Sequence, residues 1–294
     1  MAEKLESHYT SHSADSYESA FFYEEGPYTQ YLQSLVQNRL QLVGDNAQVA
    51  TSTGSSSSGS SQQRRILLDI GGGTGNFTRM LLPLDKEKNA VNLQAIVVDP
   101  FLEQSSSEGG NLKFVKAHAE AFATPATPYD YWWRRDFHQV LMKEVVHHFS
   151  KEERLGIFQG MYTDLEKASE SAAEKYPSVL IITRPQLEID YPLWNEARQV
   201  WAQNQPSLLD ITTDLQQAGF SDVSHTLEPY PCSISLERWQ AMVQKRFWST
   251  FSNFSDQELE EACKTIAKDY KDRTDDTGTI RFEDRLLFIS AFKK

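Results

Sequence analysis

The sequence predicts an α/β protein built on a mostly parallel sheet with crossover helices. Three observations point there. An apolar, β-prone run, Ile66-Leu67-Leu68-Asp69-Ile70, ends in a glycine turn, Gly71-Gly72-Gly73-Thr74-Gly75, and hands over to a helical pattern from Asn76 and Phe77. Further short apolar runs then alternate with stretches of helical period, the pattern of strands joined by crossover helices. At 294 residues the chain is long enough for one large α/β domain with a sizeable insertion.

Taken in order, the elements justify that class. The aromatics of Tyr17 to Tyr23 crowd ahead of Gly26-Pro27, and Tyr28, Tyr31, Leu32, Leu35, Val36 and Leu40 then recur at spacings of three and four, an amphipathic helix. The aromatic cluster reads either as the packing foot of that helix or as a lid over a ligand. Residues 51–63, rich in serine and glycine, cannot bury enough apolar area to offset their ordering entropy and read as a linker. Strands are expected at 93–98, 112–116, 140–142, 179–182, 221–226 and 285–292. Ser150 with Glu153, and Ser255 with Glu258, are capping boxes that open helices. Leu208, Leu209, Ile211 and Leu215 mark another helix, closed by Ala218-Gly219-Phe220, and a further helical pattern runs from Leu236 to Phe247. The expected organisation is an N-terminal helical lid over residues 1–50, a flexible serine-rich linker over 51–65, and one domain over 66–294 with a helical insertion at about 229–279.

Bulk properties narrow the function classes. A formal net charge of -12 argues against a general attraction to phosphate backbones, so nucleic acid is not the expected partner. Cys232 and Cys263 are the only cysteines, without spacing for zinc or for a disulfide framework, so no metal is expected and a reducing, cytoplasmic setting is. No run approaches the length of apolar sequence a membrane span needs, and a soluble protein is expected.

A glycine turn after a strand has three common readers: a dinucleotide, a nucleoside triphosphate and S-adenosylmethionine. Counting from Gly71 and Gly73, the third position of the dinucleotide fingerprint is Asn76, and no Gly-Lys-Ser/Thr follows. What stands is Asp69-x-Gly71-x-Gly73-x-Gly75, small residues that let a ligand approach the backbone, with an acid that suits an ammonium better than a phosphate.

Leu68-Asp69-Ile70-Gly71-Gly72-Gly73-Thr74-Gly75 resembles the first motif of the class I S-adenosylmethionine-dependent methyltransferases of small-molecule type. The resemblance implies a seven-stranded, mostly parallel Rossmann-like sheet; the N-terminal helices, expected as a lid, and the helical insertion expected before the last strand lie outside it in detail, where such enzymes often carry acceptor-binding additions. It implies S-adenosyl-L-methionine as cofactor, held by Asp69, Gly71, Gly73, Gly75 and Asn76 of the loop and by Asp99-Pro100, whose acid would accept from the ribose hydroxyls. The segment around His118, Ala119 and Glu120 is similar to the family's adenine edge, with His118 where an aspartate is common, and Lys143 closes the fourth strand. The turn containing His147-His148 resembles that of small-molecule members, although His138 stands where an acid is frequent.

In such a sheet ligands sit at the carboxyl ends of the strands. His147 or His148 would then serve as base if the acceptor arrives protonated, or would simply pack and cap. Arg184 either pairs with Glu188 or Asp190 or anchors an acceptor carboxylate, and Trp132-Trp133 either pack or form a cation-binding wall. The expected function is methyl transfer to a small-molecule acceptor, such as an amine. The alternatives are a protein side-chain methyltransferase and a non-catalytic S-adenosylmethionine-binding protein. Oligomeric state is not legible.

Overall fold

The computed structural model describes residues 25–42, 65–82, 93–102, 110–124, 132–135, 137–165 and 176–293. The expected aromatic cluster at Tyr17 to Tyr23 and the serine-rich linker up to residue 64 lie outside them. In chain order the elements are α1 (Glu25–Leu40), β1 (Arg65–Ile70), α2 (Asn76–Leu81), β2 (Leu93–Val98), β3 (Leu112–Val115), β4 (Gln139–Lys143), α3 (Lys151–Asp164), β5 (Val179–Thr183), α4 (Asn195–Asn204), α5 (Leu208–Gln217), β6 (Ser221–Ser235), α6 (Leu236–Gln244), α7 (Asp256–Asp269) and β7 (Thr279–Phe292). Among the described residues no helix is long and apolar enough to cross a membrane.

The seven strands form one sheet in the order β3-β2-β1-β4-β5-β7-β6. From β3 to β5 every neighbouring pair is parallel. The expected Rossmann-like sheet is therefore present, and α6 and α7 occupy the stretch of chain between β6 and β7. β1, β4 and β5 are almost wholly buried along their length, as strands covered on both faces must be, and their apolar runs are continuous rather than alternating. Both expected capping boxes form: the Ser150 hydroxyl accepts from the Glu153 N–H while Glu153 accepts from the Ser150 N–H, and Ser255 and Glu258 repeat this at α7.

The described residues fall into two compact units. The sheet unit holds those within 30–182, 212–225 and 288–293. In it Arg154 of α3 meets Asp214 of α5 at 2.6 Å, with both side chains buried. Trp133 is buried edge-to-face against Phe122, the packing alternative of the sequence, whereas Trp132 is half exposed and takes the Lys113 ammonium over its ring at 5.3 Å.

The aromatic unit holds residues within 25–29, 183–211 and 226–287. Its core is built on Tyr191, Trp194, Trp201, Trp239, Phe251 and Phe282. The indole N–H of Trp239 is satisfied by the Pro192 carbonyl at 2.7 Å and that of Trp201 by the Pro185 carbonyl at 3.2 Å, as buried indoles require. Cys232 and Cys263 are free and buried, and burial pushes the Cys232 thiol up to about 12.

Three elements depart from expectation. β6 runs to Ser235 instead of ending near Thr226; Pro229 and Pro231, which cannot donate to a ladder, are tolerated on a strand that ends the sheet order. β7 begins at Thr279, six residues before its apolar run. α4 was not marked in the sequence: only Ala197 and Trp201 are buried along it, and Trp194 at its N-cap makes no side-chain capping bond.

Candidate functional site

The parallel register levels the carboxyl ends of the central strands. Ile70 of β1 sits opposite Val98 of β2 and Met142 of β4, Val98 opposite Val115 of β3, and Met142 opposite Ile181 of β5. The next residue of each strand therefore lies in one row, which places Gly71, Asp99 and Lys143 together where the strand order reverses between β1 and β4. In open α/β sheets ligands bind at that switch point. The backbone ladder continues into the row: the Gly71 N–H donates to the Val98 carbonyl at 2.8 Å, and the Asp99 N–H to the Val115 carbonyl at 3.1 Å.

The glycine loop is shaped by what surrounds it. Gly71, Gly73 and Gly75 all have positive φ. A Cβ on Gly71 would meet Val145 Cγ2 at 2.6 Å, one on Gly72 would collide with Asp69 Oδ2, and one on Gly75 would meet the Phe114 ring at 2.7 Å. At Gly73 nothing lies within 4 Å, so the loop is tight on three sides and open at its tip. Gly75 caps α2, and Asn76 in its first turn accepts from Arg79 at 2.8 Å.

Two acids hold the loop. Asp69 is 3 % exposed and lies under Gly72, where its Oδ2 accepts from the Thr78 hydroxyl of α2. Burial raises its pKa to about 6, against the Thr78 hydrogen bond and the Lys143 charge, with Asp99 adding to the rise. Asp99 receives the Gly73 N–H on one oxygen at 3.0 Å and the Phe101 N–H on the other at 2.8 Å. Burial raises its pKa too, opposed by those two bonds and by the His118 charge. Pro100 follows it, and Phe101 is 44 % exposed.

The remaining expected residues lie along the same sheet edge. His118 is largely exposed, with Nδ1 4.0 Å from Glu120 Oε2, and Ala119 between them is buried. Lys143 carries its ammonium 5.4 Å from the Phe77 ring centroid. After β4 the chain turns through Glu144, a non-glycine residue at φ 57, and a short 3-10 turn holds His147 and His148 with ring centroids 4.1 Å apart. His138 is at the other end of β4, where its Nδ1 accepts from the Ile66 N–H at 3.1 Å; this histidine registers strands rather than facing the row.

Arg184 belongs to the aromatic unit. Its Nε and Nη2 donate to Asp284 at 3.0 and 3.1 Å, and Nε also to the Tyr191 hydroxyl at 2.5 Å. The ion pair with Glu188 or Asp190 suggested by spacing is not the one formed, and Asp190 is taken bidentately by Arg273 at 2.9 and 2.8 Å. A groove of about 590 Å³ in this unit is lined by Asp190, Arg273, Asp275, Arg281, Glu283 and Arg285, whose acids and guanidiniums pair with one another. Among the described residues no group of three or more His, Cys, Asp or Glu is placed to hold a metal.

Sequence reasoning missed Thr78 and Phe101. Thr78 is fully buried three residues before Leu81, so it reads as one more core position of α2, and only the fold reveals that its hydroxyl meets Asp69.

The raised pKa of Asp69 has a measurable sign. The native state binds this proton more tightly than the unfolded state, so the contribution is favourable at low pH and is lost as the pH rises from about 4 to about 6, by about 3 kcal/mol. Asp69→Asn, which does not ionise, should gain about 2 kcal/mol relative to the unaltered protein between pH 4.5 and 7.5. Urea unfolding of both proteins at the two pH values measures it, and a constant difference between them contradicts the burial assigned to this carboxyl.

No protein-family model matches the chain, and no curated protein is significantly similar to it. Solved structures do resemble it. Phosphoethanolamine N-methyltransferase 2 of Haemonchus contortus, in complex with S-adenosyl-L-methionine, is 15 % identical over 80 % of this chain and 50 % of its own, with a TM-score of 0.42. This chain thus spans about half the length of that protein. A putative methyltransferase of Bacillus halodurans is 16 % identical over 78 % of this chain and 93 % of its own, TM-score 0.45. A cyclopropane synthase of Mycobacterium tuberculosis is 15 % identical over 88 % and 83 %, TM-score 0.42.

Proposed function

We propose that the chain transfers a methyl group from S-adenosyl-L-methionine to a small-molecule acceptor. The observation that carries this reading is Asp99, fixed beside the glycine loop at the switch point of the sheet. Each of its oxygens has one backbone N–H, from Gly73 or Phe101, and so keeps a second lone pair for a ligand hydroxyl. A carboxylate held that way fits a ribose diol.

The other residues of the row fit the rest of the cofactor. Asp69 and Lys143, which interact electrostatically, offer a negative and a positive group, complementary to the ammonium and carboxylate of its methionine end. The open tip at Gly73 lets the backbone be approached closely. Phe101, His118, Ala119 and Glu120 are assigned to the adenine end. Bound there, S-adenosyl-L-methionine supplies an electrophilic methyl on a sulfonium. The protein's part is to align an acceptor whose lone pair is free and to keep water away. Where the acceptor arrives protonated, His147 or His148, on the turn after β4, removes the proton. An amine is the favoured acceptor class, in keeping with the net charge of -12. Arg184 has no part in this reading, since its charge is matched by Asp284.

Calorimetric titration with S-adenosyl-L-methionine tests the cofactor, and a transfer screen over amines, phenols, thiols and carboxylates tests the reaction. Asp99→Asn should weaken binding about 10- to 100-fold, the loss of charge-assisted hydrogen bonds to two hydroxyls. Unchanged affinity would remove Asp99 from the site. Binding without transfer to any acceptor would leave a cofactor-binding protein in place of an enzyme.

A further inference from the structure

Asp69 cannot do its assigned work alone. It is buried under Gly72 at 3 % exposure, and the groups that face it are Lys143 from β4, Asp99 at the end of β2 and the Thr78 hydroxyl from α2. Desolvation favours the neutral acid and Asp99 adds to that, whereas the hydroxyl and the ammonium favour the carboxylate. Lys143 is itself the proposed partner of the cofactor's carboxylate, which leaves Thr78 as the support that ligand binding does not compete for. Thr78 is fully buried, on the first turns of the helix that the glycine loop opens.

Resting on the cofactor reading above, we propose that Thr78 is a positioning residue: by donating to Asp69 it keeps that side chain charged and aimed beneath the loop, and so sets the affinity for the cofactor's ammonium group. A carboxyl near its midpoint binds an ammonium well only when ionised, so affinity should follow the ionised fraction of Asp69. Removing the hydroxyl shifts that fraction at a given pH without touching the ligand.

The test is the pH profile of S-adenosylhomocysteine binding between pH 5.5 and 8.0, by calorimetry, in the unaltered protein and in Thr78→Val, Thr78→Ala and Thr78→Ser. In the unaltered protein affinity should fall below about pH 6, approaching tenfold per pH unit. Val and Ala should move that fall to higher pH, weakening binding on the order of five- to tenfold at pH 6.5 and about twofold or less at pH 8.0. Ser, which keeps the hydroxyl, should restore the original profile. The His118 charge acting on Asp99 is common to all four proteins and cancels in the ratios. Equal weakening at every pH, or none, in Val and Ala would overturn the inference while leaving the cofactor site standing. No binding by the unaltered protein at millimolar ligand would overturn the cofactor reading, and this inference with it.

Discussion

Asp284→Ala is expected to destabilise the protein by about 3–5 kcal/mol, the cost of leaving a buried charge without its partner. Asp284 is wholly buried in the aromatic unit. It accepts from the Tyr28 hydroxyl at 2.9 Å, from Arg184 at 3.0 and 3.1 Å, and from the Tyr191 hydroxyl. The Arg184 side chain is only 11 % exposed, so without Asp284 the guanidinium loses its carboxylate in a site with little access to water. Asp284→Asn keeps an acceptor oxygen while deleting the charge, and separates loss of hydrogen bonds from loss of the ion pair. Arg184→Met combined with Asp284→Ala should recover part of the loss, because removing both members of a buried pair costs less than removing one. Urea unfolding followed by near-ultraviolet circular dichroism, sensitive to the surrounding tryptophans, reads all three. A loss below about 1 kcal/mol for Asp284→Ala would show that Arg184 reaches water or another acid.

That pair also marks where reading the sequence stops. Local signals were legible: the strand at 93–98 matches β2 to the residue, Ser150 and Ser255 cap α3 and α7 as their spacing with Glu153 and Glu258 implied, and the glycine turn follows β1. Each depends on residues within a few positions of one another. Arg184 and Asp284 are separated by a hundred positions, and the nearer acids Glu188 and Asp190 were the natural guess. The same limit hides Thr78 beneath Asp69, since contact between a strand residue and a helix nine positions on depends on how the turn folds back. β6 shows the opposite failure, a local signal overridden: Pro229 and Pro231 argue against a strand, and the end of the sheet accommodates them. In the candidate site, the sequence pointed to the loop, Asp99 and Lys143, but not to the burial of Asp69, which is a property of the packed loop.

Gly73→Ala should separate folding from cofactor binding. An L-residue at its φ of +54 costs about 1–2 kcal/mol, but its Cβ would meet nothing within 4 Å, so the fold should survive with a modest drop in stability. Gly71→Ala carries the same backbone strain at φ +72 and also drives its Cβ to 2.6 Å from Val145 Cγ2, a collision with a branched side chain on the turn that holds His147 and His148. Overpacking of that kind costs about 1–3 kcal/mol more, so Gly71→Ala should be clearly the less stable of the two. For S-adenosyl-L-methionine the order reverses in cause. Gly73→Ala places a methyl at the open tip where the ligand is proposed to meet the backbone, and should weaken binding about 10- to 100-fold in a protein that still melts cooperatively. Thermal melts and calorimetric titration on the same samples give both quantities. If Gly73→Ala binds like the unaltered protein, the tip of the loop is not the face that meets the cofactor, and the open space there has another cause.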